Sequence, residues 1–565
     1  MFQAIEKKPP VRERRGVPAE APVRIAHVVS VSGSHAVAIL ERSAEPVLRA
    51  KDPRIQIGSV VKILTPGASV IGLVSSVSSP MPDLDGKKEE MGLIEINLAG
   101  ETRIDDKSRR LAFHRGVASL PSLGDPIYLA DRHDLTRIYA PPGVASIKVG
   151  SLFQNAEVPA RLLTDELLSK HFIVVGSTGS GKSSALSILL QRLLEDTAGA
   201  HVVILDIHNE YGAAFGDLVE HITLENFNLP LWMLNFQELV VALASSEGTR
   251  DEEIEILSEG VLAAKKRYAD AAAGRAAILS RRAAENTVIT VDTPAPFRLS
   301  DVIAYLDEQL GKLERTRATL PFRRLKSRIE QLVADQRYAF MFGGLTVQDT
   351  MTQVLSRLFR IPNEGKPISV IDLSTVPHEI LDVVISVISR LAFDLAVWSK
   401  GGLPMLLVCE EAHRYAPAND GKFVPTRQAL GRIAKEGRKY GISLALVTQR
   451  PSELDATILS QCSTAIALRL SSEKDQQVIR GSTYEGMVDL IDFLPLLGDR
   501  EALILGQGVS MPMRIRFDEL GGKRPKNMNA GFSKSWKSHN MDRETLDTIV
   551  TRWRTTGREK SEDRF

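Results

Sequence analysis

The chain has 565 residues, which is more than one ordinary domain needs, so we expect two or three domains. Its composition is that of a globular protein, with 43% hydrophobic and 25% charged residues, and its net charge of +1 excludes a generally basic coat for nucleic acid. The two cysteines, Cys409 and Cys462, exclude a disulfide framework and fit a reducing cytosol. No apolar run is long enough to span a bilayer and no signal peptide is visible, so we expect a cytoplasmic protein without membrane contact.

The first 150 residues predict a basic arm and a β domain. Residues 1–20 combine basic side chains with prolines, which is typical of a flexible arm. Residues 21–150 contain short β-rich runs separated by Gly, Pro, Asp and Ser, at intervals typical of an antiparallel barrel or sandwich. We interpret this segment as an assembly domain. An oligonucleotide-binding barrel is the alternative, but the segment lacks the interleaved aromatic and basic residues that base stacking requires.

The clearest chemical signal lies at His171–Ser184, HFIVVGSTGSGKSS, where the pattern becomes α/β. An apolar run leads into a glycine-rich loop of the form G-x-x-x-x-G-K-[ST], and a helical pattern follows. Glycines let the backbone curl around a phosphate, Lys182 can reach its oxygens, and the Ser183 hydroxyl can ligate Mg²⁺. We therefore predict that nucleotide is bound by Gly176, Ser177, Thr178, Gly179, Ser180, Gly181, Lys182, Ser183 and Ser184.

A second apolar run, HVVILDI, predicts a buried strand that ends in Asp206 and is followed by Glu210. The carboxyl ends of strands form the ligand crevice in an open α/β sheet, so both acids are expected to face nucleotide, Mg²⁺ or the attacking water. The alternative is that Asp206 and Asn209 only end the strand in a turn. Further along, residues 246–340 are rich in Ala, Glu, Arg and Lys and predict a helical insertion.

The strand predicted at Met405–Cys409 runs directly into two acids, Glu410 and Glu411. A nucleotide hydrolase needs one acid to position the hydration shell of Mg²⁺ and another to polarise the attacking water. We therefore predict that Glu410 positions the hydration shell of the metal and that Glu411 polarises the attacking water. The nearby His413 receives no role.

The helix predicted at Thr426–Tyr440 carries Arg432 on an outward stripe, while Arg438 points elsewhere. Either arginine could act as an arginine finger toward the γ-phosphate of a neighbouring subunit, and a solvated surface is the alternative. The next buried strand ends at Gln449, which would orient the water or sense the γ-phosphate.

In this order, GSTGSGKS, DIHNEY, LLVCEEAH and GRIAKEGRKYGISLALVTQRPSELD, preceded by a β domain, resemble the HerA family of hexameric ATPases, relatives of the FtsK translocases. The resemblance covers residues 20–520. It implies a RecA-like P-loop NTPase core over residues 151–520, a HerA-type barrel, and a homo-hexamer with double-stranded DNA in its pore. It also implies a partner on the barrel face, either a NurA-like nuclease or, in antiphage defence, an effector such as a sirtuin-like enzyme.

The same resemblance assigns roles to single residues. Lys182 and Ser183 would bind ATP and Mg²⁺, Glu411 would be the catalytic acid and Gln449 the sensor. Arg438 is favoured over Arg432 as the finger, because the GRKYG segment carries the match.

Glu410 departs from the family pattern, which usually has Asp at this position. The longer side chain is tolerable where the metal is contacted through water, but it puts the turnover rate in question. The basic tail, residues 521–565, adds no motif.

We expect an ATP-driven translocase of duplex DNA that works with a nuclease or another effector. The alternative is a scaffold ATPase ring that gates an effector, with ATP as its regulator. A conjugation or secretion motor is a weaker third hypothesis, since such motors more often bring a membrane anchor.

Overall fold

The structure is a computed structural model, and its contacts divide the chain into two units, Met1–Arg137 and Ile138–Phe565. The sequence predicts a domain boundary near residue 150. The predicted arm, residues 1–20, and the predicted tail, residues 521–565, lie outside the described residues. The structure describes residues 24–41, 55–78, 92–105, 109–195, 197, 199–245, 250–277, 289–312, 319–343, 347–418, 423–482 and 488–520.

The first unit is a closed antiparallel barrel. Its strands follow the order β2-β1-β7-β3-β4-β5, and the ring closes because β2 pairs with β5. Strand β6 extends the sheet from β5. Inward positions alternate along the strands, as with Ala36, Ala38 and Leu40 on β2, so one face fills the core. The described strands are β1 Arg24–Ser32, β2 His35–Leu40, β3 Val60–Leu64, β4 Ser69–Ser78, β5 Leu93–Ile104, β6 Leu111–Arg115 and β7 Pro126–Leu129. Helix α1, Arg132–Tyr139, contains the boundary between the two units.

The second unit is built on an eleven-stranded sheet of order β12-β13-β11-β14-β15-β10-β16-β17-β18-β8-β9. The seven strands from β12 to β16 in this order are parallel, and the four remaining strands are added antiparallel. The bounds are β8 Ser146–Leu152, β9 Pro159–Leu163, β10 His171–Val175, β11 Val202–Asp206, β12 Val219–Ile222, β13 Ile368–Asp372, β14 Met405–Cys409, β15 Ile442–Thr448, β16 Cys462–Ala467, β17 Glu501–Gly506 and β18 Met513–Phe517.

Helices flank this sheet, and every residue of β10, β11, β13, β14 and β15 is buried, as expected of parallel strands covered on both faces. Helices α5, α6 and α7 pack on one another within the segment where the sequence predicted a helical insertion. No helix in the described part of the chain has the length and apolar character needed to cross a bilayer.

The helices of the second unit are α2 Thr164–Leu168, α3 Lys182–Glu195, α4 Phe236–Leu243, α5 Arg250–Ala277, α6 Leu299–Lys312, α7 Leu320–Ala334, α8 Ala339–Phe342, α9 Met351–Phe359, α10 His378–Trp398, α11 Val424–Tyr440, α12 Ala456–Leu459 and α13 Glu473–Ser482. Short 3₁₀ segments are Gly216–Leu218, Leu231–Met233, Gln336–Tyr338, Ala412–Arg414, Pro451–Glu453 and Val488–Leu496.

The strand order decides where the chemistry lies. Strand β10, which precedes the glycine-rich loop, is separated from the acidic strand β14 by β15 alone, and all three are parallel. Their carboxyl ends therefore meet at one edge of the sheet. This arrangement confirms the predicted RecA-like α/β fold with an N-terminal barrel.

Candidate nucleotide-binding site

The glycine-rich loop joins β10 to the first turn of α3. A Cβ on Gly176 would lie 2.5 Å from Ser180 Oγ, and Gly181 has a φ of 98°, so neither position accepts a larger residue without strain. Ser177 anchors the loop, since its backbone N–H and its hydroxyl both donate to Arg469 O, at 2.8 and 3.0 Å. The buried Ser180 Oγ has no partner among the described residues. This loop can therefore present backbone and hydroxyl donors to a phosphate at a helix N-terminus.

Lys182 begins α3 and is turned back onto the loop. Its ammonium donates to Gly176 O at 3.0 Å and lies 4.0 Å from Glu411 Oε1. Burial lowers the pKa of Lys182, and the negative charge of Glu411 offsets part of this effect. A phosphate would offer the ammonium a stronger acceptor than a backbone carbonyl does. Lys182 therefore lies against the glycine-rich loop, and Ser184 lies half-buried in the same helical turn.

Asp206 and Glu210 have different tasks in the structure. Asp206 is fully buried, and its two oxygens accept the backbone N–H groups of Glu210 at 3.1 Å and Tyr211 at 2.9 Å. It therefore closes the turn after β11, as the alternative interpretation proposed. That turn brings Glu210 to the loop, where Glu210 Oε2 accepts the hydroxyl of Ser183.

Glu410 is buried at the end of β14, and its Oε2 accepts the Ile207 N–H at 3.2 Å. Burial and the nearby carboxylates of Glu411, Asp206 and Glu210 raise its pKa well above the usual value. These carboxylates repel one another, and together with the Ser183 hydroxyl they provide oxygen ligands of the kind that a hard divalent cation such as Mg²⁺ prefers. The residues present therefore fit the metal that a nucleotide would bring, with Ser183 and Glu410 as the expected holders.

We predict that Glu410→Gln stabilises the nucleotide-free protein in a pH-dependent way. The pKa of Glu410 is higher in the folded than in the unfolded protein, so the folded protein loses stability as the pH rises above the pKa of an unfolded glutamate. Glutamine cannot ionise and so removes this loss, and its side-chain oxygen can still accept the Ile207 N–H. The unfolding temperature should increase by about 2 °C at about pH 8 and by less at about pH 5. An equal increase at both pH values would contradict the raised pKa.

Glu411 follows Glu410 in a left-handed backbone conformation, with φ 46° and ψ 48°. Its Oε2 lies 3.2 Å from His413 Nδ1 and accepts the backbone N–H of Gln449 at 3.3 Å. Burial raises the pKa of Glu411, but the His413 hydrogen bond and the Lys182 charge outweigh burial, so the pKa is lowered overall. Glu411 is therefore held as a carboxylate, the form that a base needs.

Gln449 stands at the end of β15, between the phosphate loop and the acids. Its Oε1 accepts the hydroxyl of Thr178 at 2.6 Å, which links the loop directly to this glutamine. Sequence reasoning placed both residues but did not predict the bond between them.

Two histidines also belong to the site. His413 contacts Glu411, and an atom of His208 lies within 4.8 Å of ligand atoms of Glu410 and Glu411. Both occur inside the EEAH and DIHNEY motifs, but spacing alone could not show which side chain each would meet.

The two candidate fingers differ in their surroundings. Arg432 stacks on Phe393, with its guanidinium carbon 4.4 Å from the ring centroid, and lies 3.9 Å from both Asp394 and Glu436. The Arg438 side chain is exposed, and its guanidinium has no hydrogen bond or ion pair with any residue that the structure describes. The Arg432 guanidinium is thus engaged within its own chain, whereas the Arg438 guanidinium has no partner among the described residues and is available to a neighbouring molecule.

A phosphate loop, an acidic strand end and a polar residue on the strand between them define a P-loop NTPase. Residues 147–392 match the family described as "Helicase HerA, central domain". The chain is 26% identical over 526 residues to "DNA double-strand break repair helicase HerA" of Sulfolobus acidocaldarius, covering 89% of this chain and 96% of that protein. It is also 26% identical over 440 residues to the protein of that name in Pyrococcus furiosus, covering 71% and 74%. The chain is therefore similar to the HerA helicases over most of its length, and the resemblance in its motifs is confirmed.

Solved structures of similar shape include VirB4 of Thermoanaerobacter pseudethanolicus, with 16% identity and a TM-score of 0.46, covering 66% of this chain and 96% of that one. Another is the plasmid coupling protein TrwB in complex with ADP and Mg²⁺, with 14% identity and a TM-score of 0.44, covering 71% and 94%.

Proposed function

We propose that this chain is an ATP-hydrolysing motor that translocates double-stranded DNA. The observation that carries the proposal is the meeting of Lys182, Glu411 and Gln449 at one edge of the sheet. Relatives named as DNA double-strand break repair helicases, aligned over most of both chains, support DNA as the substrate.

The proposed chemistry uses groups that the fold already orients. Lys182 exchanges its contacts with Gly176 O and Glu411 for the β- and γ-phosphates. Glu411, freed from the ammonium, accepts a proton from the attacking water. Bound Mg²⁺ would supply charge neutralisation at the phosphates, beside Ser183 and Glu410. Gln449 reports phosphate occupancy through its bond to Thr178.

We also propose that the motor is a homo-hexamer with the nucleotide between subunits. The exposed Arg438 supports this, because a guanidinium without a described partner in its own chain can serve the site of the next subunit. Arg432 is the weaker candidate, since Phe393 and two carboxylates already surround it.

The barrel is proposed as the docking domain for an effector, either a NurA-like nuclease in DNA repair or a sirtuin-like enzyme in antiphage defence. The resemblance to the HerA family supports this assignment. The closed six-stranded ring offers loops and strand faces as surfaces on which an effector could bind.

Duplex DNA should stimulate ATP hydrolysis if the proposal is right. Steady-state hydrolysis by the purified protein, measured with and without linear duplex, tests this. An equal rate of ATP hydrolysis with and without duplex DNA would favour the scaffold ATPase, in which ATP only regulates a bound effector.

A further inference from the structure

His413 has a largely buried side chain at the site, and the proposed chemistry gives it no role. Its imidazole is 9% exposed, with Nδ1 2.9 Å from Thr448 Oγ1 and 3.2 Å from Glu411 Oε2. The same Glu411 oxygen accepts the backbone N–H of Gln449. The imidazole therefore lies between the acidic strand β14 and the end of β15.

The contacts of Nδ1 determine where the proton sits. An ionised carboxylate is only an acceptor, so an Nδ1 lone pair facing Glu411 Oε2 at 3.2 Å would be repelled. Nδ1 must therefore carry the proton and donate it toward Glu411. Thr448 Oγ1 can share that proton, and it also accepts the Arg450 N–H at 3.0 Å. The tautomer follows from this hydrogen-bond network.

The Glu411 carboxylate needs a contact that fixes its position, because it makes no capping hydrogen bond to the backbone that follows it. The residue leaves β14 in the left-handed conformation and precedes the 3₁₀ segment Ala412–Arg414 without any side-chain cap. Among the described residues, the cationic or N–H side chains in contact with its carboxylate are Lys182 and His413. A bound phosphate would draw Lys182 away, and His413 would then keep the carboxylate in place.

We propose that His413 is a positioning residue for ATP hydrolysis: its Nδ1–H holds the Glu411 carboxylate against the end of β15, in line with Gln449. The inference rests on the proposed ATP hydrolysis. His413 acts through Glu411 and takes no part in binding the phosphates.

The test compares asparagine and glutamine at residue 413. The amide nitrogen of asparagine is as far along the side chain as Nδ1, whereas that of glutamine corresponds to Nε2. His413→Asn should therefore keep most of the turnover. His413→Gln should lower kcat roughly 10- to 100-fold, because a misplaced base loses its alignment with the water. KM for ATP, the affinity for a fluorescent ATP analogue and the unfolding temperature should stay close to wild type.

A double-mutant cycle separates positioning from a general structural role. In a Glu411→Gln background, His413→Gln should cause no further loss of turnover, because there is no carboxylate left to position. An unchanged kcat in His413→Gln, or an equal loss of kcat in the asparagine and glutamine variants, would overturn the inference about His413. The proposed function would still stand in that case, provided that the wild-type protein hydrolyses ATP. A wild-type protein without ATP hydrolysis would overturn the proposed function itself.

Discussion

Replacing Arg438 with alanine should abolish turnover while ATP still binds. Arg438 is exposed, and no described residue of its own chain pairs with it, so its guanidinium is available to a neighbouring γ-phosphate. Loss of such a finger lowers kcat by about 1,000-fold or more. The measurement is steady-state ATP hydrolysis together with the affinity for a fluorescent ATP analogue, on protein assembled as in the wild type.

The matched control is Arg432→Ala, which removes the same charge from the same helix. It should cost the stacking on Phe393 and some stability, but little turnover. If the chain forms the proposed ring, co-expression of Arg438→Ala with Lys182→Ala should restore about a quarter of wild-type turnover. In a random mixture about one interface in four joins an intact Lys182 to an intact Arg438 of the next subunit. Normal hydrolysis by Arg438→Ala would make Arg432 the finger candidate, and no recovery in mixed rings would contradict a finger acting between subunits.

Replacing Glu411 with glutamine should trap ATP without hydrolysing it. Glutamine keeps the size of the side chain and can still accept from Gln449 N–H, but it cannot take a proton from water. We expect kcat to fall on the order of 100- to 10,000-fold, with ATP affinity kept or increased. Single-turnover quench of labelled ATP measures both the bound nucleotide and its slow cleavage.

Glu195→Gln is the control for this charge change, since Glu195 is exposed at the far end of α3 and pairs only with Arg192 among the described residues. It should hydrolyse ATP as the wild type does. Normal turnover in Glu411→Gln would remove Glu411 from its assigned role.

Local sequence chemistry predicted the parts of the site that lie within one stretch of chain. The loop from Gly176 to Ser183 and the strand end at Glu410 and Glu411 follow from residue types at fixed spacing. The barrel was predicted from alternating short strands, whereas its closure through β2 and β5 depends on pairing between distant segments. For the same reason, β8 was assigned partly to the barrel domain, although it pairs with β18 in the large sheet.

Contacts between residues that are distant in the chain could not be predicted from the sequence. The sequence predicts that the strand ending at Gln449 lies beside the acidic strand. Its insertion between β10 and β14, which brings Gln449 to Thr178 and Thr448 to His413, depends on pairing between distant segments. The stacking of Arg432 on Phe393 likewise joins two helices whose packing is a tertiary property. Such contacts distinguish the surroundings of Arg432 from those of Arg438, which the helix pattern alone did not predict.

Steady-state ATP hydrolysis with and without linear duplex DNA tests the motor most directly. The wild type should be stimulated several-fold by duplex and less by single strands of the same length, and Glu411→Gln should stay inactive under each condition. Turnover that is high but equal with and without duplex would contradict a DNA motor. It would point to a ring whose ATP cycle serves a protein bound to the barrel.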